Sequence, residues 1–572
     1  MTFFAEARRR RVFRSAGMYV VGAWVLIQVA DVALESLELP AGLLRYFWLA
    51  AFAGLPLALI FSWYYEVSAD GIRKTVPSSP DETRDLSLKV PDYVLIVALA
   101  IVAGLVTAGL LERARTSEAL SVGGIAVLPL ENLTGDADQN YFSAGMHDAL
   151  ITSLSKISAL RVVSRTSTLR LDETLTIPQI GDALGVGHVI EGSVTREGDR
   201  VRIIVQLIDS ASDAHVWAES FERELTSVLS LQNELAVAIA EAVDIQLSDE
   251  EQAQFSSADL VDPELYDAYL RGMHLINQEN VADRQRGITM LEDLVAKDPT
   301  NARAYAGLAY GYAMLGHDPV SEGVEPASKL AAARALELDD GLAEAHLSLG
   351  TVKLYFSWDI PGAEASLRRA IELNPNLSDA YLHYGYILEL YGPSEAARAA
   401  GVKGARLDPL SPLVLSNVGA QFLVAGLYDE ALEYFDQTLR LDPGNAFVRW
   451  LQAMTYADMG DFEHAHEVAE QIRTHPAYGF AYGVVLAKAG KIEEAREELA
   501  AIEEVPANVV GLILLNAALG NGDEAFRWLR QARDMRLAWY PWFLVWFPEL
   551  EPFRRDPRMR ELAAEIGMED YL

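Results

Sequence analysis

"GAQFLVAGLYDEALEYFDQTLRLDP", Gly419 to Pro443, is the stretch on which the reading of the fold turns. A small residue opens it, Gly426 stands seven places on, Ala431 five places further, and Pro443 closes it. The spacing recurs as Gly385/Gly392/Ala397, Ala453/Gly460/Ala465 and Gly483/Gly490/Ala495, with a weaker copy at Ile513/Gly520/Ala525. Pro375, Pro409 and Pro443 lie 34 apart, and Pro476 follows 33 later. The small residue lets a first helix approach a second, the glycine ends the first helix, and the proline stops the second.

A 34-residue helix–turn–helix period is the tetratricopeptide (TPR) signature. About eight units fit residues 260–535. The early ones are looser. Pro299 closes the first, Asp340 stands where the next proline is due after an insert near "DPVSEG", and one extra residue lengthens a turn at Trp358. A single unit cannot bury its apolar face, so units stack into a superhelix with a concave groove. By resemblance to the repeat family, the first helix of each unit lines that groove. The candidates for holding a protein or peptide partner are Leu382, Tyr386 and Glu389, then Ser416, Ala420 and Leu423, then Phe447, Trp450 and Met454. The end of the chain, "LAWYPWFLVWFPELEPFRRDP", is expected to cap the last repeat's open apolar face, with a binding patch as the alternative.

Upstream, residues 121–250 read as a compact α/β domain with a mixed sheet. Ile125–Leu130 is a short β-run, Tyr141–Ser155 has helical spacing, Leu160–Ser167 reads as a strand, and "IPQIGDALGV" as a short helix. "REGD" marks a hairpin turn between "HVIEGSVT" and "RVRIIVQLID", and a helix over Ser230–Leu247 closes the unit. Asp136, Asp138 and Asn140 have the spacing that begins a calcium-binding EF loop. The sixth and twelfth places hold Tyr141 and His147 instead of glycine and glutamate, so the loop fails as a metal site. It reads instead as a helix cap, with Asp138 or Asn140 accepting from free backbone N–H groups.

The first 111 residues carry ten basic and ten acidic side chains, and the other 461 carry 37 and 72, which accounts for the net charge of −35. So acidic a body repels phosphate backbones, which argues against nucleic acid as a partner. Apolar runs at 16–36, 45–65 and 93–112 predict about three transmembrane helices. Arginines at 8–11 and basic residues of the 66–92 loop put the N-terminus inside a bacterial inner membrane; three spans then put everything past a 112–120 linker outside, whereas two spans leave it inside, so the first run decides the compartment. Asp31 is expected to pair with Arg45 at the outer interface.

The strings "IAVLPLENLTGDADQNYFSAGMHDALITSLSKISALRVVSRTS", "LGVGHVIEGSV" and "VQLIDSASDAHVWAESFER" resemble the TolB-like domain of bacterial membrane proteins. In that family the domain stands between a membrane anchor and TPR repeats, and the N-terminal "ARRRRVFRSAGMYVVGAWVLIQVAD" resembles the same anchor. Some relatives carry an adenylate cyclase or winged-helix DNA-binding domain ahead of the anchor, and this sequence begins directly at it.

The expected fold is therefore multidomain: N-terminal transmembrane helices, a central α/β domain, a C-terminal all-α superhelix, and an aromatic cap over 536–572. No cysteine is present, which excludes disulfides, thiolate metal sites and cysteine nucleophiles. No nucleophile elbow, zinc-protease or kinase motif occurs, and His464 and His466 point to different helix faces. The expected function is a non-enzymatic membrane-anchored scaffold without cofactors, holding a partner in the groove on the periplasmic side and open to self-association. The alternative is a signalling subunit that relays a periplasmic signal to a separate cytoplasmic cyclase or regulator.

Overall fold

The structure is a computed structural model that describes residues 19, 23, 65–68, 71–74, 124–256, 260–278, 280–315 and 324–571. The chain divides into two compact units, Met1–Glu118 and Ala119–Leu572. In the first, strands β1 (Tyr65–Ser68) and β2 (Gly71–Lys74) form an antiparallel hairpin.

This corrects the expected fold class and the multi-pass inner-membrane location. Among the described residues no helix is long and apolar enough to cross a membrane. The longest, 17 residues, has a charged face, because solenoid helices bury only the stripe that meets their neighbours. The second apolar run ends in a strand at Tyr65. Apart from residues 19 and 23, the remainder of the three runs, with Asp31 and Arg45, lies outside the described residues, as does the "DPVSEG" insert.

The second unit begins with a six-stranded mixed sheet. Its strands are β3 (Gly124–Val127), β4 (Glu131–Asn132), β5 (Arg161–Val162), β6 (His188–Glu197), β7 (Arg200–Asp209) and β8 (Ala214–Glu224). The order is β5-β3-β6-β7-β8, parallel from β5 to β6 and antiparallel beyond, with β4 beside β6. Helix α1 (Asn140–Ser155) packs Phe142, Met146, Leu150 and Leu154 into the core. The run read as a strand over 160–167 is a strand for only two residues. The Ser164 hydroxyl then caps α2 (Arg165–Leu169) by accepting the Ser167 N–H, which turns the rest into helix. Helix α3 (Ile177–Leu184) ends at Gly185 in the left-handed conformation, α4 (Val228–Ala242) covers the sheet, and α5 (Asp249–Ser256) follows.

Eight helix hairpins come next. They are α6 (Pro263–Ile276) with α7 (Val281–Lys297), α8 (Ala302–Leu315) with α9 (Val324–Leu338), α10 (Ala343–Val352) with α11 (Ile360–Leu373), and α12 (Ser378–Leu390) with α13 (Glu395–Leu407). Then follow α14 (Pro412–Val424) with α15 (Tyr428–Leu441), α16 (Ala446–Asp458) with α17 (Phe462–Gln471), α18 (Phe480–Lys488) with α19 (Ile492–Ala501), and α20 (Val509–Ala518) with α21 (Gly522–Asp534). First helices of successive units touch along the stack, while second helices make fewer contacts with one another. The first helices therefore form the inner, tighter wall of the superhelix. This is a TPR-like solenoid, and its punctuation follows the sequence. Gly426 ends α14 at φ 71°, and a Cβ on Gly419 would stand 2.6 Å from the Phe435 ring of α15.

The extra residue near Trp358 also has a local cause. Lys353–Ser357 forms a π-helical turn, which takes up one more residue than an α turn, and Trp358 leaves it at φ 55°.

Candidate functional site

The inner wall is already filled. After α21 the chain turns at Arg536, φ 55°, and runs back through α22 (Tyr540–Val545) to α23 (Pro557–Ala564). The aromatic end of the chain was expected to cap the last repeat. It reaches much further back, and one apolar core runs from Leu347 to Met568. Trp542 stacks on Tyr355, with ring centres 6.0 Å apart, and meets Tyr386 edge-on at 5.9 Å. Trp539 meets the same two rings at 5.8 and 5.6 Å. Tyr540 packs on Trp358 at 5.1 Å, so the π turn builds part of the socket. Further along, Phe547 stacks on Trp450 at 6.1 Å and Tyr571 on Tyr391 at 5.2 Å.

Ion pairs tie the end of the segment to α21, Arg558 to Asp523 and Glu565 to Arg533, and a buried one ties it to the inner wall. The Lys488 ammonium, at the end of α18, lies 2.5 Å from Asp458 and 3.0 Å from Glu549, whose side chain is only 4% exposed. Burial alone lowers the Lys488 ammonium, but the Glu549 and Asp458 carboxylates outweigh it and hold the group above its usual value. A buried cation flanked by two carboxylates loses most when one partner is removed.

Of the nine groove candidates, Leu382, Tyr386, Glu389, Ser416, Ala420, Trp450 and Met454 are buried, and Leu423 and Phe447 are half-buried. The Ser416 hydroxyl donates to the Leu413 carbonyl of its own helix. Tyr386 and Trp450 come into direct contact with the C-terminal segment. Burial raises the Glu389 carboxyl well above the usual range. Tyr386 Oη, Glu389 Oε1, Trp450 Nε1 and Trp542 Nε1 are buried with no hydrogen-bond partner in the protein. Such atoms each cost roughly 1–3 kcal/mol. The fit of segment to groove is thus close in shape and incomplete in polarity.

The α/β domain grips the solenoid at two places. Asp267 of α6 accepts from Tyr141 Oη, from Arg196 Nη1 at 2.6 Å and from Arg271 Nε at 2.9 Å. Farther along, the loops that join α11 to α12 and α13 to α14 cover the edge strand β5. Asn376 accepts the Val162 N–H at 3.1 Å and donates to the Ser155 and Leu160 carbonyls at 2.9 and 2.8 Å. The Ser164 N–H donates to the Leu407 carbonyl, and Ser164 and Ser167 both donate to Asp408 Oδ1. Sequence reading missed these residues. One signal was present: Asn376 stands where the next two units carry Leu410 and Gly444.

The acidic turn before α1 is closed by its own hydrogen bonds. The expected acceptors were Asp138 or Asn140, but Asp136 accepts the Asp138 N–H at 3.0 Å, and Asn140 Oδ1 accepts from Asn132 at 2.8 Å. Gln139 at the start of α1 makes no side-chain cap. Below it, buried His147 lies 2.9 Å from the Val127 carbonyl, and burial lowers its imidazole to about 4. Among the described residues no group of three or more His, Asp or Glu is placed to hold a metal.

Fold and groove together define a TPR-like solenoid carrying a mixed α/β domain, with its inner wall filled by its own C-terminal segment. Residues 121–238 match a family model described as HilA/YgeH-like transcriptional regulator, second domain. That description differs from the TolB-like one suggested by the residues. A relative named "Putative adenylate cyclase 3", from Rhizobium meliloti (strain 1021), is 38% identical over 186 residues, 32% of this chain and 32% of the relative. The chain thus spans about a third of that relative's length. Among solved structures, PilW, a widely conserved type IV pilus biogenesis factor, is 18% identical, with 40% of this chain and 100% of that chain covered at a TM-score of 0.34. YrrB, described as a TPR protein with an unusual peptide-binding site, is 21% identical, with 33% and 95% covered at 0.27. At such scores the fold assignment rests on the helix hairpins themselves.

Proposed function

We propose that this chain is a non-catalytic protein-binding scaffold whose solenoid groove holds a peptide or protein partner. One observation carries the reading: the inner wall already holds a peptide-like segment through aromatic stacking and a buried ion pair. An aromatic groove with one fixed charge is the chemistry of peptide recognition rather than of bond breaking. The test is a photo-crosslinking amino acid at the half-buried positions Leu423 and Phe447 in cells. A discrete protein adduct at these sites, absent with the crosslinker on the outer helix α15, supports the scaffold. Equal labelling at both sets of positions removes it.

A second reading is a regulatory module that passes its state to a separate cyclase or transcription regulator. The names carried by the relative and by the family model favour it. Under it, partner binding in the groove alters hydrogen exchange in β5 and α2 across the Asn376 junction. A scaffold leaves exchange there unchanged.

A further inference from the structure

We propose that Trp539–Glu549 is a stand-in for the partner: the groove takes a protein segment with two aromatic side chains one helical turn apart, followed by a third aromatic and a carboxylate. The proposal rests on the scaffold reading and names the partner's chemistry and its regulation.

The geometry sets out the recognition code. Trp539 and Trp542 enter the Tyr355/Tyr386 site, Phe547 covers Trp450, and Glu549 meets Lys488. These anchors span the third to the seventh unit of the inner wall, as an extended partner in a solenoid groove does. The occupant is tethered, so it competes at a high effective concentration, and a partner in trans binds only when it outmatches the tether. The unpaired Tyr386 Oη, Glu389 Oε1 and Trp450 Nε1 supply that margin. A segment that hydrogen-bonds to them gains contacts which the resident one lacks. The link at Arg536, in a left-handed conformation that non-glycine residues rarely adopt, is where the segment leaves the last repeat.

The experiment uses the full chain and a fluorescein-labelled peptide copy of residues 538–553. The wild-type chain is expected to bind the probe weakly, and Glu549→Lys, which sets the segment's charge against Lys488, to bind it about ten-fold or more tighter. A charge-swap arm guards against misfolding. Lys488→Glu is expected to prefer a probe carrying the lysine form of position 549 over the wild-type probe, reversing the order seen with an unaltered groove. Equal probe binding by wild type and Glu549→Lys, or no reversal in the swap, with circular dichroism and melting near wild type, overturns the proposal. A release variant that dimerises and excludes the probe assigns the groove to a second copy's segment and also overturns it. Failure here with partner adducts still formed at Leu423 and Phe447 leaves the scaffold standing, whereas loss of those adducts removes the scaffold itself.

Discussion

The side-chain carbonyl of Asn376 accepts the backbone N–H of Val162 at 3.1 Å. Val162 lies on β5, the edge of the sheet, where an unpaired N–H would otherwise invite another strand. With the Ser155 and Leu160 carbonyls also held, one amide satisfies three backbone groups of the neighbouring domain. Asn376→Ala strands all three in a buried site. Urea denaturation of the full chain is expected to show a loss of roughly 3 kcal/mol or more. A change within the few tenths of a kcal/mol typical of surface sites would contradict this account.

Glu389 sets a pH dependence. Burial raises its carboxyl well above 4.5 in the folded chain. The folded state therefore binds a proton that the unfolded state releases. Its contribution to stability is complete below pH 4.5 and is lost as the pH rises through the folded value. Glu389→Gln removes the loss. The melting temperature of the variant is expected to exceed wild type by an amount that grows between about pH 5 and about pH 8. A difference constant with pH would show that Glu389 ionises normally.

Gly419 and Gly444 separate close approach from open space. A Cβ at Gly419 meets the buried Phe435 ring at 2.6 Å, whereas at Gly444 the nearest atom is 3.7 Å away. Gly419→Val is expected to cost about 1–3 kcal/mol through overpacking. Gly444→Ala should be near neutral. Thermal melts of the two variants make the comparison.

Trp542 is 1% exposed. Trp542→Ala is expected to lose about 3–5 kcal/mol from the groove contacts. Because the segment leaves the repeats at Arg536, limited proteolysis should then cut near that link first. Wild-type resistance to cleavage there would mean the segment is held chiefly by α21 and α23.

The repeats were legible because their punctuation is local. Gly392, Gly426, Gly460, Gly490 and Gly520 all take positive φ, as their spacing implied. The candidates on the inner wall were legible as a face and not as a free surface. Tyr386 and Trp450 lie on helices with the right periodicity, but no local pattern reveals that Trp542 and Phe547 return to cover them. The strand expected through Ser167 failed for a similar reason. Its β-type residues are outweighed by the Ser164 cap and by Asp408, which holds both hydroxyls from across the junction. The membrane expectation came from the apolar runs, their flanking basic residues and the resemblance to an anchor, and the helices described here are at most 17 residues long, none long and apolar enough to cross a membrane.

The return of the C-terminal segment alters how such an array should come apart. A stack held only by neighbours frays from either end, one unit at a time. Here Arg536 donates to the Phe356 carbonyl 180 positions away, and the stacked Tyr355 and Trp542 rings close a similar separation. The molecule is a chain of units fastened into a loop by a clasp. High contact order of this kind slows folding, because Trp542 must find Tyr355 and Tyr386 far back in the sequence. It also binds units three to eight into one cooperative block, so that a truncation at the far end is felt first in the third repeat.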